Sequence, residues 1–236
     1  MTEQNTPPLT TRAAPVPAPA EARKPRSDGE QSRQRLLQTA IRLFAERGYA
    51  NASTREIALA AGANSASIRY YFGDKAGLYR AAFTERSPVH DKSAQLFAQP
   101  GLTLRQALQF FYDELLAQMK QGELAQSCLR LWFREMLEPT GLWAEEIDQG
   151  IKPAFGALAA LLARHLDIDP ADDDLYRLAF GVVGLGLQPM LTPDVVLAVR
   201  PQLLDGAAAI DAWTTRLAGY AEAMVGFERI RRQEQA

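Results

Sequence analysis

The segment from Ser53 to Lys75 restricts the possible folds of this chain more than any other. It begins with a capping box: the Ser53 hydroxyl can accept from the backbone N–H of Glu56, and Glu56 can reach back. Ala58, Gly62 and Ile68 follow at intervals of four and six residues. A small residue lets two helices touch, a glycine makes the turn, and an apolar residue pins the second helix onto the first. This is the sequence form of a helix-turn-helix, whose second helix enters the DNA major groove. That helix begins at Asn64 or Ser65. Its outward positions are Ser65, Ala66, Ser67, Arg69 and Tyr70, with Ile68 and Phe72 inward and Tyr71 at the edge. Arginine can make bidentate bonds to guanine, and a small residue such as Ala66 can meet a thymine methyl. Arg69 is expected to read a base or clamp a phosphate. Thr54 and Arg55, opening the preceding helix, are placed to hold the sugar-phosphate backbone. Lys75 lies in the first turn of a further helix, where a cation opposes the helix dipole by about a few tenths of a kcal/mol. A phosphate bound by Lys75 and the free N–H groups would remove that conflict.

The flanks extend the pattern. Leu36-Leu37, Ala40-Ile41, Leu43-Phe44-Ala45 and Gly48-Tyr49 precede it, and Gly73-Asp74-Lys75 and Gly77-Leu78-Tyr79 follow. The run from Arg33 to Leu78 resembles the N-terminal domain of the TetR family of one-component transcriptional regulators. Arg134-Glu135 and Pro139, followed by Ile151 and Pro153, are similar to the CecR-like branch. The resemblance implies a phosphate contact for Lys75. Relatives often carry an aromatic residue where Arg69 stands, so the family's base-contact rules do not transfer to that position.

Charge agrees with the motif. The net charge of −2 hides a basic segment: Arg23 to Arg80 holds 11 Lys and Arg against 5 Asp and Glu. Ala81 to Ala236 holds 14 against 21. One end suits a polyanion and the other does not. Cys128 is the lone cysteine, which excludes a disulfide framework and points to a reducing, cytoplasmic compartment. One cysteine and two histidines do not make a usual zinc site. No cofactor is expected. No apolar run approaches the roughly 20 residues of a membrane span, so no membrane partner is expected.

The predicted fold is all-α. A Pro- and Ala-rich tail, 1–28, is expected to be disordered, with a basic end at Arg23-Lys24-Pro25-Arg26. A three-helix helix-turn-helix domain occupies 29–75, and a helical ligand-binding and dimerisation domain 76–236. Periodicity and proline punctuation place its helices near 103–121, 123–138, 142–166, 171–187 and 206–232. Leu178 to Leu187 is apolar on every side, which predicts burial all round. In the last helix Ile210, Trp213, Leu217, Tyr220, Met224 and Phe227 recur at alternating steps of three and four, a seam between packed helices. The resemblance assigns the last two long helices to a four-helix bundle across a two-fold axis, hence a homodimer. It also places a small-effector cavity among the central helices. Phe110, Phe111, Met119, Trp132, Phe133, Met136 and Phe155 concentrate aromatic and soft side chains there, and Trp132, Met136 and Phe155 are the expected lining. Such a wall takes a mostly apolar ligand.

The function expected is a ligand-responsive repressor that binds a palindromic double-stranded DNA operator and is released by its effector. The alternatives are an activator, a corepressor-dependent regulator, or a helical enzyme or carrier with a vestigial head. No Ser-His-Asp set, carboxylate pair or phosphate loop supports the enzyme reading. Asp172-Asp173-Asp174 reads as an acidic helix start.

Overall fold

The computed structural model describes residues 25–84, Phe97 and residues 101–235, with side chains from Asp28 onward. Most of the expected tail, with Arg23 and Lys24, lies outside the described residues. Every regular element among those described is helical. Helix α1 is Pro25–Asn51, α2 Thr54–Ala60, α3 Ser65–Phe72 and α4 Lys75–Thr84. Beyond residue 101 come α5 Leu104–Leu116, α6 Glu123–Leu137, α7 Leu142–Glu146 and α8 Lys152–Leu166. Then follow α9 Asp173–Leu191, α10 Pro193–Val199 and α11 Gly206–Gln233.

The head forms as its local chemistry requires. Ser53 accepts from Glu56 N–H at 3.1 Å while Glu56 accepts from Ser53 N–H at 3.2 Å, so the capping box is complete. Gly62 turns the chain at φ +62°, a conformation costly for any residue with a Cβ. Asn64 caps α3 by accepting from Ala66 N–H at 2.9 Å, which fixes Ser65 as its first residue. Ile57, Ala58 and Ile68 are buried against Leu36, Leu37, Ile41 and Phe44 of α1. The helical dihedrals of α1 break at Gly48 (φ 79°), the stop that the sequence predicts. Helix α4 joins the same core through Leu78, Tyr79, Ala82 and Phe83, and so do Cys128, Leu131 and Leu142 from α6 and α7.

The second core lies between α5, α6, α8, α9 and α11, around Leu108, Tyr112, Leu116, Leu158, Leu162 and Val182. Here the elements depart from the expected ones. The single helix predicted over 142–166 is interrupted by a π-helical turn, Ile147–Ile151. Pro153 follows at once; it cannot donate to the carbonyl four residues back, and a wider turn relieves the clash. Helix α9 runs through Pro189, expected as a terminator, to Leu191. Only the final turn lies beyond Pro189, so little helix is lost. The chain then bends by 72° into α10, which periodicity did not reveal. No single helix among the described residues is long and apolar enough to cross a membrane.

Asp172 and Asp174 tie the start of α9 to Arg232 and Arg231 of α11, which Glu228 of the same helix braces. Asp172 caps α9 by accepting from Leu175 N–H at 3.0 Å and also receives both Nη atoms of Arg232 at 2.8 and 3.0 Å. Glu228 accepts from Arg231 at 2.7 Å and Arg232 at 2.6 Å. The arginine bonds hold the Asp172 and Glu228 carboxyls below their ordinary pKa values. The folded state therefore binds fewer protons than the unfolded chain, and acid favours unfolding.

Two outcomes follow. The thermal midpoint should be level from about pH 7 to pH 5 and fall once pH drops through about 4, where unfolded carboxylates protonate. A midpoint that rises on acidification contradicts the network's role. Separately, a Cβ on Gly77 would lie 2.0 Å from the Phe72 carbonyl oxygen. Gly77→Ala should therefore cost about 1–3 kcal/mol in a denaturant titration by forcing α4 away from α3.

Candidate nucleic-acid interface and its adjoining cavity

Helix α3 projects from the head with Ser65, Ala66, Arg69 and Tyr70 exposed, Ser67 and Tyr71 half-buried, and Ile68 inward. Tyr70 is 83% exposed, although its ring meets Tyr71 edge-on at 4.9 Å. Phe72, expected inward, is half-buried with the Arg33 guanidinium 5.3 Å over its ring. At the start of α2, Arg55 is exposed and Thr54 half-buried. Glu56 accepts from Ser53 and from Arg47, each at 3.2 Å, so its charge is paired.

Lys75 is held in place. Its ammonium sits 4.6 Å from the Tyr49 ring centroid and donates to the Ala50 carbonyl at 3.3 Å. Tyr49 was not read as part of the site; its place straight after Gly48 was the available signal. The N–H groups expected to complete an anion site with Lys75 are partly taken, because Asp74 accepts from Gly77 N–H at 2.8 Å. An anion here would rely chiefly on the lysine side chain.

The head is fastened to the second core by consecutive residues of α6. Arg134 donates to the Ala45 and Glu46 carbonyls, both at 3.3 Å, and so caps α1 where Gly48 breaks it. Glu135 is fully buried. One of its oxygens accepts from the Tyr79 hydroxyl at 2.7 Å. The other accepts from Thr140 N–H at 2.8 Å and Trp143 N–H at 3.2 Å. Burial, then the adjacent carboxylate, push the Tyr79 hydroxyl well above the ordinary phenol range, so it stays a proton donor. Outside, Arg80 pairs with Glu145 at 2.6 Å. Helix α4 is thus bound to the α6–α7 corner at two heights.

The opposite face of α6 borders a cavity of about 250 Å³. Trp132 and Met136 of α6 and Phe155 of α8 lie in its wall, as do Phe111 and Phe133. Phe110 and Met119 do not line it; Phe110 is 43% exposed on the far side of α5. Phe97, Trp143 and Phe180 also line it and were not singled out from sequence. Trp143 belongs to the segment read as one uninterrupted helix, and Phe180 to the stretch read as wholly buried. Trp132 and Trp143 meet edge-to-face at 4.8 Å, and the Trp132 indole N–H is satisfied by Glu146 at 3.1 Å. No cluster of three or more His, Cys, Asp and Glu among the described residues is placed to hold a metal.

Helix α9 is not buried all round. Gly181 and Gly186 are at close approach, since a Cβ there would meet Met224 at 2.7 Å and Leu115 at 2.5 Å. Phe180, however, is 62% exposed. The expected α11 seam also divides. Ile210 and Leu217 are buried in this chain's own core, with Trp213 and Met224 packed against it. Tyr220 and Phe227 face solvent across a groove with Leu178 and Met224. A heptad-like pattern alone does not separate the residues facing one's own core from those facing outward.

Known proteins share both parts. The bacterial regulatory protein tetR family model matches residues 36–82, and that of the C-terminal domain of the HTH-type transcriptional dual regulator CecR matches 104–226. The chain is 30% identical over 200 residues to the CecR protein of Shigella flexneri, covering 80% of this chain and 86% of that one. It is 40% identical to the regulator AcrR of the same organism over 58 residues, 25% of this chain and 27% of that protein. A crystal structure of a transcriptional regulator from Streptomyces coelicolor shares the fold, with a TM-score of 0.55 at 20% identity over 82% of this chain and 97% of that one. The likeness to CecR takes in the cavity-bearing helices as well as the head. With a helix-turn-helix of the tetR type and a CecR-type C-terminal domain, the chain belongs to the TetR family of DNA-binding transcriptional regulators, which are not enzymes.

Proposed function

We propose that this protein is a cytoplasmic, ligand-responsive repressor that binds a palindromic operator as a homodimer and is released by a small, largely apolar effector. The observation that carries the reading is the double use of α6. Trp132, Phe133 and Met136 face the cavity, while Arg134 and Glu135 of the same turns hold α1 and α4. A ligand that displaces the cavity face of α6 or α7 must disturb the bonds made by the other face. To shift the equilibrium, the effector must bind the DNA-incompetent arrangement more tightly than the competent one.

The second copy would pack on the outward face of α11, where Tyr220, Phe227 and Ile230 are all more than half exposed. Pairing that face about a two-fold axis would bury it and set two α3 helices toward successive major grooves, about 34–36 Å apart. The Shigella relative is a dual regulator, which supports a second reading in which the same switch activates at some operators.

Footprinting on DNA upstream of the protein's own gene tests the reading. A two-fold-symmetric protected site supports it, and equal weak binding to unrelated DNA contradicts it. Lys75→Ala should weaken all DNA sequences alike and lower the salt slope by about one; unequal losses across sequences would count against a phosphate role. Arg69→Ala should lower affinity as well, and a change in sequence preference would assign Arg69 to a base. Glu135→Gln keeps the shape and removes the charge to which the Tyr79 and Thr140 hydroxyls and the Thr140 and Trp143 N–H groups donate. It should cost about 2 kcal/mol of stability and reduce the effect of any cavity ligand on DNA affinity. Full response in a destabilised Glu135→Gln protein would remove Glu135 from the coupling.

A further inference from the structure

The cavity differs from a typical small-molecule site in one respect. Such sites place a few polar groups among apolar ones to fix the ligand's orientation. Here none of the eighteen lining residues among those described carries a charged, amide or hydroxyl side chain, and seven are aromatic. The side-chain heteroatoms in the wall are two methionine sulfurs and two indole nitrogens, and that of Trp132 is already bonded to Glu146 at 3.1 Å. An ionised ligand would leave water and find no partner charge among the described lining residues, which is strongly unfavourable.

The aromatic walls also have an orientation. Trp132 stands edge-on to Trp143 at 76° and to Phe133 at 79°, so ring faces and ring edges alternate around the space. Phe155 and Phe180 form a further tilted pair, 4.4 Å between centroids. Phe180, more than half exposed, stands at the mouth beside Gly184. Planar rings fill such a lining best, edge against face, and Met136 and Met190 can add sulfur–aromatic contacts. Volume sets the size. An apolar cavity of about 150 Å³ admits a single benzene ring, and this one, at about 250 Å³, has room for a second fused ring.

We infer that the ligand of this cavity is a neutral, planar aromatic molecule of about two fused rings, held by shape and ring contacts. This rests on the proposed reading of the cavity as the effector site and narrows that reading to one chemical class. Acids and amines are disfavoured because the described lining offers no partner charge, and long acyl chains because they make no ring contacts with the seven aromatic residues.

The test is isothermal titration of the full-length protein with naphthalene, 2-naphthoate, 2-naphthylmethylammonium and decanoate. The same four compounds are added to the protein–operator complex in a gel shift. Naphthalene should bind saturably, one per chain, with the two charged naphthalenes and decanoate roughly a hundredfold weaker or more. In Gly184→Trp, an indole stands at the mouth on a Cβ that meets no atom within 4 Å. Naphthalene binding should fall at least tenfold in this variant, with its unligated thermal midpoint reporting that it is folded. Binding of a charged compound or decanoate as tight as naphthalene overturns the inference. So does failure of all four to bind, or naphthalene binding that a folded Gly184→Trp leaves unaltered. The gel shift separates the two readings: release by decanoate alone sinks the ligand class and keeps the switch, whereas tight naphthalene binding without release keeps the class and sinks the switch.

Discussion

A buried carboxylate organises this molecule. Glu135 lies where α4, α6 and α7 meet, with no exposure to water. A charge in that position is tolerated only if its lone pairs are filled, and Tyr79, Thr140 and Trp143 fill them from two different elements. None of these donors can leave without stranding the carboxylate, so the positions of α4 and of the α6–α7 corner are set together. Arg134, one residue earlier, makes the same link to α1 through the Ala45 and Glu46 carbonyls. The DNA-binding head is therefore not an independent bead on a linker. Two neighbouring side chains of one helix, with Cys128, Leu131 and Leu142 packed into the head's core beside them, fix where it sits.

The same corner touches the cavity. Trp143 gives its backbone N–H to Glu135 and its ring to the cavity wall. Just beyond it, the π-helical turn Ile147–Ile151 supplies Ile151 to that wall. A wide turn is the weakest part of a helical rod and the easiest to rearrange. This is the physical basis for proposing that occupancy of the cavity and placement of the head are coupled. Packed aromatic walls change between discrete arrangements rather than yielding by degrees.

The head was legible in the sequence because its signals are local. Ser53 with Glu56, the Gly62 turn, Asn64 and the Gly48 break each act within a few residues, and each is found where the pattern puts it. The cavity was legible only in part. Trp132, Met136 and Phe155 lie in its wall, but Trp143 and Phe180 come from segments whose geometry depends on tertiary context. Periodicity could not show that Pro153 would be preceded by a π turn, or that α9 would continue through Pro189. Nor could it apportion the α11 repeat. Ile210 and Leu217 serve this chain's own core, whereas Tyr220 and Phe227 face outward, and both sets share one spacing. The half-buried Arg134 and the buried Glu135 appeared in the sequence only as a family likeness. Their roles rest on partners more than 50 residues distant, as with Tyr79.

Coupling between cavity and head is a free energy, and it must act equally in both directions. The most direct measurement is the affinity of a cavity ligand for the free protein and for the operator-bound protein, by calorimetry under identical salt. A coupled protein binds the ligand more weakly when DNA is present, by the same factor by which the ligand weakens DNA binding. Equal ligand affinities in the two states, with the cavity demonstrably filled, would mean that α6 transmits nothing.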